Sequence, residues 1–124
     1  MQNDNAKFKV ELKKRLYQFT LKTIELLDGL PKDSISRTLG DQLLRSSTSV
    51  IGNFIEGQAA SSRRDFTNFL NTALKSANES KLWFALLRDS KRISADNVRW
   101  FLQEVDEISR ILASSIITLK GKRL

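Results

Sequence analysis

The chain has 124 residues, with 21 Lys and Arg against 14 Asp and Glu, a net charge of +7, one Pro, five Gly, no Cys and no His. That length suits one domain able to bury roughly two thirds of its unfolded surface. Without Cys or His, disulfides, thiolate nucleophiles and zinc or haem sites of ordinary type are excluded, and only oxygen-ligand chemistry such as Mg²⁺ binding by carboxylates remains open.

The first element is read as a helix over about 6–28, where Phe8, Leu12, Leu16, Phe19, Thr23 and Leu27 recur at spacings of three and four. Val10, Tyr17, Leu21 and Ile24 form a second stripe beside them. The Gly29 to Pro31 stretch breaks the pattern, and Asp33 or Ser34 can cap a second helix over about 34–56. This helix carries Leu39, Leu43, Ser47, Val50 and Phe54 on one line and Leu44, Thr48, Ile51 and Ile55 on the next. Gly57 suits a left-handed stop. Ser62 and Asp65 have capping-box spacing and open a third helix over about 62–89, with Phe66, Leu70, Ala73, Ala77, Phe84 and Leu87 aligned. After a break at 90–94, Ser94 can cap a fourth helix over about 95–119, whose Val98, Phe101, Val105, Ile108, Leu112, Ser115 and Leu119 keep a near-heptad repeat.

Four helices with short links force antiparallel neighbours, so residues 1–124 are expected to form one all-α domain, an up-down-up-down four-helix bundle. A helix of 25 residues is about 37 Å long. The second stripes on the first two helices exceed what an isolated bundle needs and predict a homo-oligomer.

The stretch 45–57 is unusual for an amphipathic helix. Ser46, Ser47, Ser49 and Gly52 have almost no side-chain volume and predict close helix crossing, with Phe66, Phe69, Trp83 or Phe84 filling the room they leave. Gly within a helix costs about 1 kcal/mol relative to Ala, which close packing or a kink at Gly52 would have to offset. Asn53 and Glu56 share a face, read either as caps for the 57–62 turn or as a polar site with Arg45, Arg63 or Arg64. Glu79 is a candidate partner for Arg45.

Gln42, Arg45, Ser46, Ser49, Ile51, Asn53, Glu56 and Gly57 follow the order Gln-Leu-x-Arg-Ser-x-x-Ser-x-x-x-Asn-x-x-Glu-Gly. Asp65, Phe66, Phe69 and Leu70 follow, then Ala73, Ser76 and Glu79. This arrangement resembles the bacterial four helix bundle protein family, also called the ribosomal-RNA intervening-sequence or S23-like family, over about residues 39–119. The departures are Gly52, where relatives often carry Pro, and Asn78, where they often carry a larger residue. The resemblance implies a ring-shaped homopentamer. It also implies kinship with the accessory variability proteins of diversity-generating retroelements, which bind nucleic acid and a reverse transcriptase.

The resulting expectation is a non-enzymatic oligomeric scaffold that binds RNA or DNA backbone through basic patches. The candidate contacts are Lys7, Lys9, Lys13, Lys14 and Arg15 near the start of the chain and Lys120, Lys122 and Arg123 at its end, which an antiparallel bundle brings to the same side. Arg88, Lys91, Arg92 and Arg99 form a second cluster at the other end. The alternative is a protein–protein adaptor, for example for a reverse transcriptase, using the apolar stripes with Trp83 and Trp100. Catalysis would fall to a carboxylate pair such as Glu56 and Glu79, which needs a cleft that a filled bundle does not offer. No cofactor or metal is expected. No apolar run approaches the ~20 residues of a membrane span, and no secretory-signal block is evident, so a cytoplasmic protein is expected.

Overall fold

Asp33, Ser62 and Ser94 start three helices. Asp33 accepts the Ser36 N–H at 2.9 Å, Ser62 Oγ accepts the Asp65 N–H at 3.1 Å, and Ser94 Oγ accepts the Asn97 N–H at 3.1 Å. Each satisfies a donor that the first turn leaves open, a contribution of about 1 kcal/mol. The computed structural model describes residues 2–121, arranged as α1 (Gln2–Asp28), α2 (Ser34–Gln58), α3 (Arg63–Asp89) and α4 (Ala95–Gly121), with no strand among them. The helices thus run past the bounds read from periodicity at the start of α1 and the ends of α2 and α4.

Side-chain pairs fix the direction of three of the four neighbouring helix pairs. Between α2 and α3, Ser46 meets Ser80 and Ser49 meets Ser76. Between α3 and α4, Lys81 meets Asp106 and Phe84 meets Phe101. Between α1 and α4, Arg15 meets Glu104 and Lys22 meets Trp100. In each pair one number rises as the other falls, so these neighbours are antiparallel. Leu16, Phe19, Leu43, Leu70, Phe84, Val105, Ile108 and Leu112 are fully enclosed and form the middle of the core. The Phe84 ring stacks on Phe101 at 5.3 Å and meets the edge of Phe19 at 6.1 Å across the diagonal.

The α2–α3 pair packs most extensively and α1–α4 least. Small side chains explain the first. Ser46 Oγ lies 2.8 Å from Ser80 Oγ, and Ser76 Oγ donates to Ser49 Oγ at 2.8 Å. Ser80 donates to the Ser76 carbonyl at 2.9 Å, and Asn53 Nδ2 donates to Ser49 O at 2.9 Å and Ser49 Oγ at 3.0 Å. No buried side-chain polar atom among the described residues lacks a partner, so the seam carries no unmet desolvation cost.

Several expectations for this region are corrected. Serines of α3, and not Phe66, Phe69, Trp83 or Phe84, fill the room beside Ser46 and Ser49, because hydroxyls can hydrogen-bond across a gap too narrow for rings. Gly52 takes no part in the crossing: it is exposed, and a Cβ there would meet nothing within 4 Å. Gly57 is no left-handed stop, since no glycine among the described residues has positive φ. It lies inside α2, where a Cβ would come within 3.0 Å of Phe66 Cδ1 and 3.1 Å of Phe69 Cβ. The left-handed residue is instead Lys91, φ 63, after α3. There Lys91 N–H donates to Arg88 O and Arg92 N–H to Leu87 O, both at 2.9 Å, the Schellman pattern. Phe8, assigned to the core stripe of α1, is half exposed.

Candidate nucleic-acid interface

The start of α1, the α2–α3 turn and the end of α4 share one end of the bundle, where Lys9, Ser61, Arg63 and Thr118 line a common cavity. Lys7, Lys9, Lys13, Lys14 and Lys120 are exposed there, and among the described residues none of them takes part in an ion pair. Lys122 and Arg123 lie outside the described residues.

The helical repeat sorts the α1 lysines into two lines. Lys7 and Lys14 are seven apart and share one line, while Lys9 and Lys13, four apart, share another on the opposite flank. Between these lines runs the stripe of Val10, Tyr17, Leu21 and Ile24, of which Val10 is 62% and Tyr17 55% exposed. Lys9 Nζ rests 5.2 Å from the centroid of the Phe66 ring, so its stem lies on apolar surface with the ammonium at the edge.

Arg15 is placed differently from the lysines. Its guanidinium forks onto Glu104 at 2.8 and 2.9 Å, and Nη2 also reaches Glu107 at 3.0 Å. The hydrogen bonds to Glu104 hold its pKa above the ordinary arginine value, despite partial desolvation. Arg15 therefore ties α1 to α4 across the weakest helix pair. Sequence reading missed this role, although Glu104 and Glu107, three apart on α4, were a legible signal for a cationic partner.

In the second basic cluster the three arginines are paired and Lys91 is not. Arg88 pairs with Asp89 at 2.8 Å and Arg99 with Asp96 at 2.8 Å. Arg92 donates to Ser36 Oγ at 2.9 Å and lies 3.6 Å from Asp33. Hydrogen bonds from Ser36, chiefly its backbone N–H, hold the Asp33 carboxyl below the usual carboxylate range, with a smaller contribution from Arg92. Lys81 and Arg110 act likewise on Asp106.

The polar positions of the 42–57 stretch divide into two groups. Ser46, Ser49 and Asn53 join Ser76 and Ser80 in the α2–α3 seam. Gln42 is half buried, and Arg45 and Glu56 are exposed. Arg45 and Glu79 make no ion pair, because both point to water, and Glu79 instead accepts from Trp83 Nε1 at 3.2 Å. Asn53 bonds back along α2 and does not cap the 57–62 turn. Ser76 and Ser80 were missed as partners of this stretch, though their spacing of four put both on one face of α3. No group of three or more acidic side chains among the described residues could hold a metal ion. No helix of the described residues is long and apolar enough to cross a membrane.

A four-helix bundle with a serine seam, a lysine-bearing end and an exposed apolar stripe belongs to the class of small all-α helical bundles. The chain belongs to the 23S rRNA-intervening sequence protein family, whose family model matches residues 9–114. It is similar to a crystallised protein of unknown function from the S23 ribosomal protein family of Bacteroides thetaiotaomicron. The two are 33% identical, with a TM-score of 0.80 over 85% of this chain and 97% of that one. No curated protein matches the chain.

Proposed function

We propose that the protein is a non-catalytic, self-associating scaffold whose lysine-bearing end contacts nucleic-acid backbone. The observation that carries this reading is the run of exposed lysines at one end: Lys7, Lys9, Lys13, Lys14 and Lys120 have no acidic partner among the described residues, while at the 89–94 end Arg88, Arg92 and Arg99 are matched by Asp89, Asp33 and Asp96, leaving Lys32, Arg37 and Lys91. Unpaired ammonium groups retain their full attraction for phosphate and release counterions on binding. Their flexible stems suit contacts without sequence preference. The family's link to ribosomal-RNA intervening sequences accords with an RNA partner.

Self-association is supported by Val10, Tyr17, Leu21 and Ile24 on α1 and by Leu44 and Ile55 on α2, all substantially exposed on neighbouring helices. A homopentameric ring covers such stripes by repeating one contact around an axis. It also repeats the lysine lines, multiplying weak phosphate contacts.

Light scattering tests the assembly: five chains of 14.2 kDa give about 71 kDa. Titration with single-stranded RNA tests the ligand, with affinity expected to fall about a hundredfold between roughly 50 and 200 mM salt when all five lysines meet phosphates. Lys7→Glu with Lys14→Glu should weaken binding, whereas Arg15→Gln should act mainly on stability. No binding at low salt refutes the nucleic-acid reading and leaves an adaptor for another protein as the function of the same scaffold.

A further inference from the structure

Tyr17 is the most exposed aromatic residue among the described residues, at 55%, and it stands among cations. One turn back along α1 its neighbours are Lys13 and Lys14, and one turn on they are Thr20 and Leu21. No acid therefore borders the ring along the helix. Lys13 and Lys14 lie on opposite flanks of the apolar stripe, with Tyr17 between them. Both are exposed, and neither takes part in an ion pair among the described residues. The phenol makes no hydrogen bond, and the ring no aromatic or cation contact, among the same residues.

The other rings that reach the surface are engaged or bordered by acid. Lys9 stands over Phe66, and Lys22 stands over Trp100 at 4.4 Å. Trp83 donates to Glu79, whose carboxylate repels phosphate. Phe69 is half-buried beside Gly57, and Phe8 has Glu11 three residues further on.

We propose that Tyr17 stacks on a base of single-stranded nucleic acid while Lys13 and Lys14 hold the phosphates on either side of that base. A nucleotide within a single strand has one phosphate before its base and one after it. A flat ring between two flexible ammonium groups matches that order. In a duplex the base faces are covered by one another, so a ring on a helix surface has nothing to stack on. The inference rests on the nucleic-acid reading above and adds to it a preference for unpaired strands. Leu21 and Ile24 continue the stripe past these lysines, so a second copy seated on them leaves the ring at the edge of the contact.

Fluorescence anisotropy with the full chain tests the assignment. The probes are a labelled strand of about 12 uridines and an abasic strand of the same length and charge. The parent should bind the uridine strand about tenfold more tightly than the abasic one. Tyr17→Leu should lower uridine binding to the abasic level and leave abasic binding unchanged. Tyr17→Phe should bind like the parent, because stacking uses the ring and not the hydroxyl. Lys13→Gln with Lys14→Gln should weaken both strands alike. Equal binding of the two strands by the parent overturns the proposal and leaves the backbone reading intact, and this comparison needs no variant. The proposal is overturned as well if Tyr17→Leu binds uridine like the parent, if Tyr17→Phe is as weak as Tyr17→Leu, or if the double lysine variant binds unchanged. A changed mass of Tyr17→Leu in light scattering would place the ring inside a protein contact and also overturn it. Binding of neither strand at low salt refutes the nucleic-acid reading itself, and this inference with it.

Discussion

Gly52→Ala and Gly57→Ala make the same chemical change five residues apart in one helix, and the structure assigns them different outcomes. Both glycines have helical φ, so each alanine gains the helix-propensity difference of about 1 kcal/mol. At Gly52 a Cβ meets nothing within 4 Å, and that gain is the whole effect. At Gly57 the Cβ would lie 3.0 Å from Phe66 Cδ1 and 3.1 Å from Phe69 Cβ. The half-buried Phe66 ring can give way, but a Cβ moves only with its backbone, so α3 must shift. Overpacking of this kind costs about 1–3 kcal/mol. Because the propensity gain is common to both variants, their difference isolates the steric cost. Gly52→Ala should therefore be more stable than Gly57→Ala by about 1–3 kcal/mol. At about 2 cal/mol/K per residue of unfolding entropy, each kcal/mol moves the melting point of a chain this size by about 4 °C. Urea unfolding followed by far-UV circular dichroism measures both variants directly. Equal stabilities, or a more stable Gly57→Ala, would refute the close approach of α2 and α3 at this point.

Further substitutions probe other parts of the bundle. Arg15→Ala leaves Glu104, whose side chain is only 13% exposed, without its bidentate partner, and should cost about 1–2 kcal/mol in urea unfolding; a change below a few tenths would show that the α1–α4 tether is idle. Lys91→Gly removes the penalty of a left-handed non-glycine residue at φ 63 and should stabilise by about 0.5–1 kcal/mol in thermal melts, unless the turn is not of Schellman type. Ser115→Leu should raise stability by about 1 kcal/mol through partial burial of the new side chain, and a loss of stability would mean that the cavity beside Ser115 is not open to it. The chain has no His, and the Asp33, Asp89 and Asp106 carboxyls are held below their usual range by hydrogen bonds and nearby cations. A depressed folded-state pKa contributes stability above the unfolded value of about 3.9, lost as pH falls through the folded value. Urea midpoints should therefore stay level from about pH 8 to 5 and decline only in acid, and a midpoint falling between pH 7 and 6 would contradict this account.

The four helices, their order and their starts at Ser62, Ser94 and either Asp33 or Ser34 were determined by the sequence alone. Apolar spacing of three and four, and the geometry of caps, are local properties that any one helix displays. The polar residues of the 42–57 stretch, with Asp65 to Leu70 and Ala73 to Glu79, likewise carried the family relationship. Only the tertiary structure decided which face of α2 meets α3. Gly52 and Gly57 look alike in sequence, but the helical repeat places one toward water and the other against Phe66 and Phe69. The same holds for charge: Arg15 and Lys14 are adjacent, yet one is held by Glu104, 89 residues away, and the other has no acidic partner among the described residues. Composition fixes how many cations a chain carries, whereas which of them remain available to a ligand depends on partners brought near only when distant helices pack.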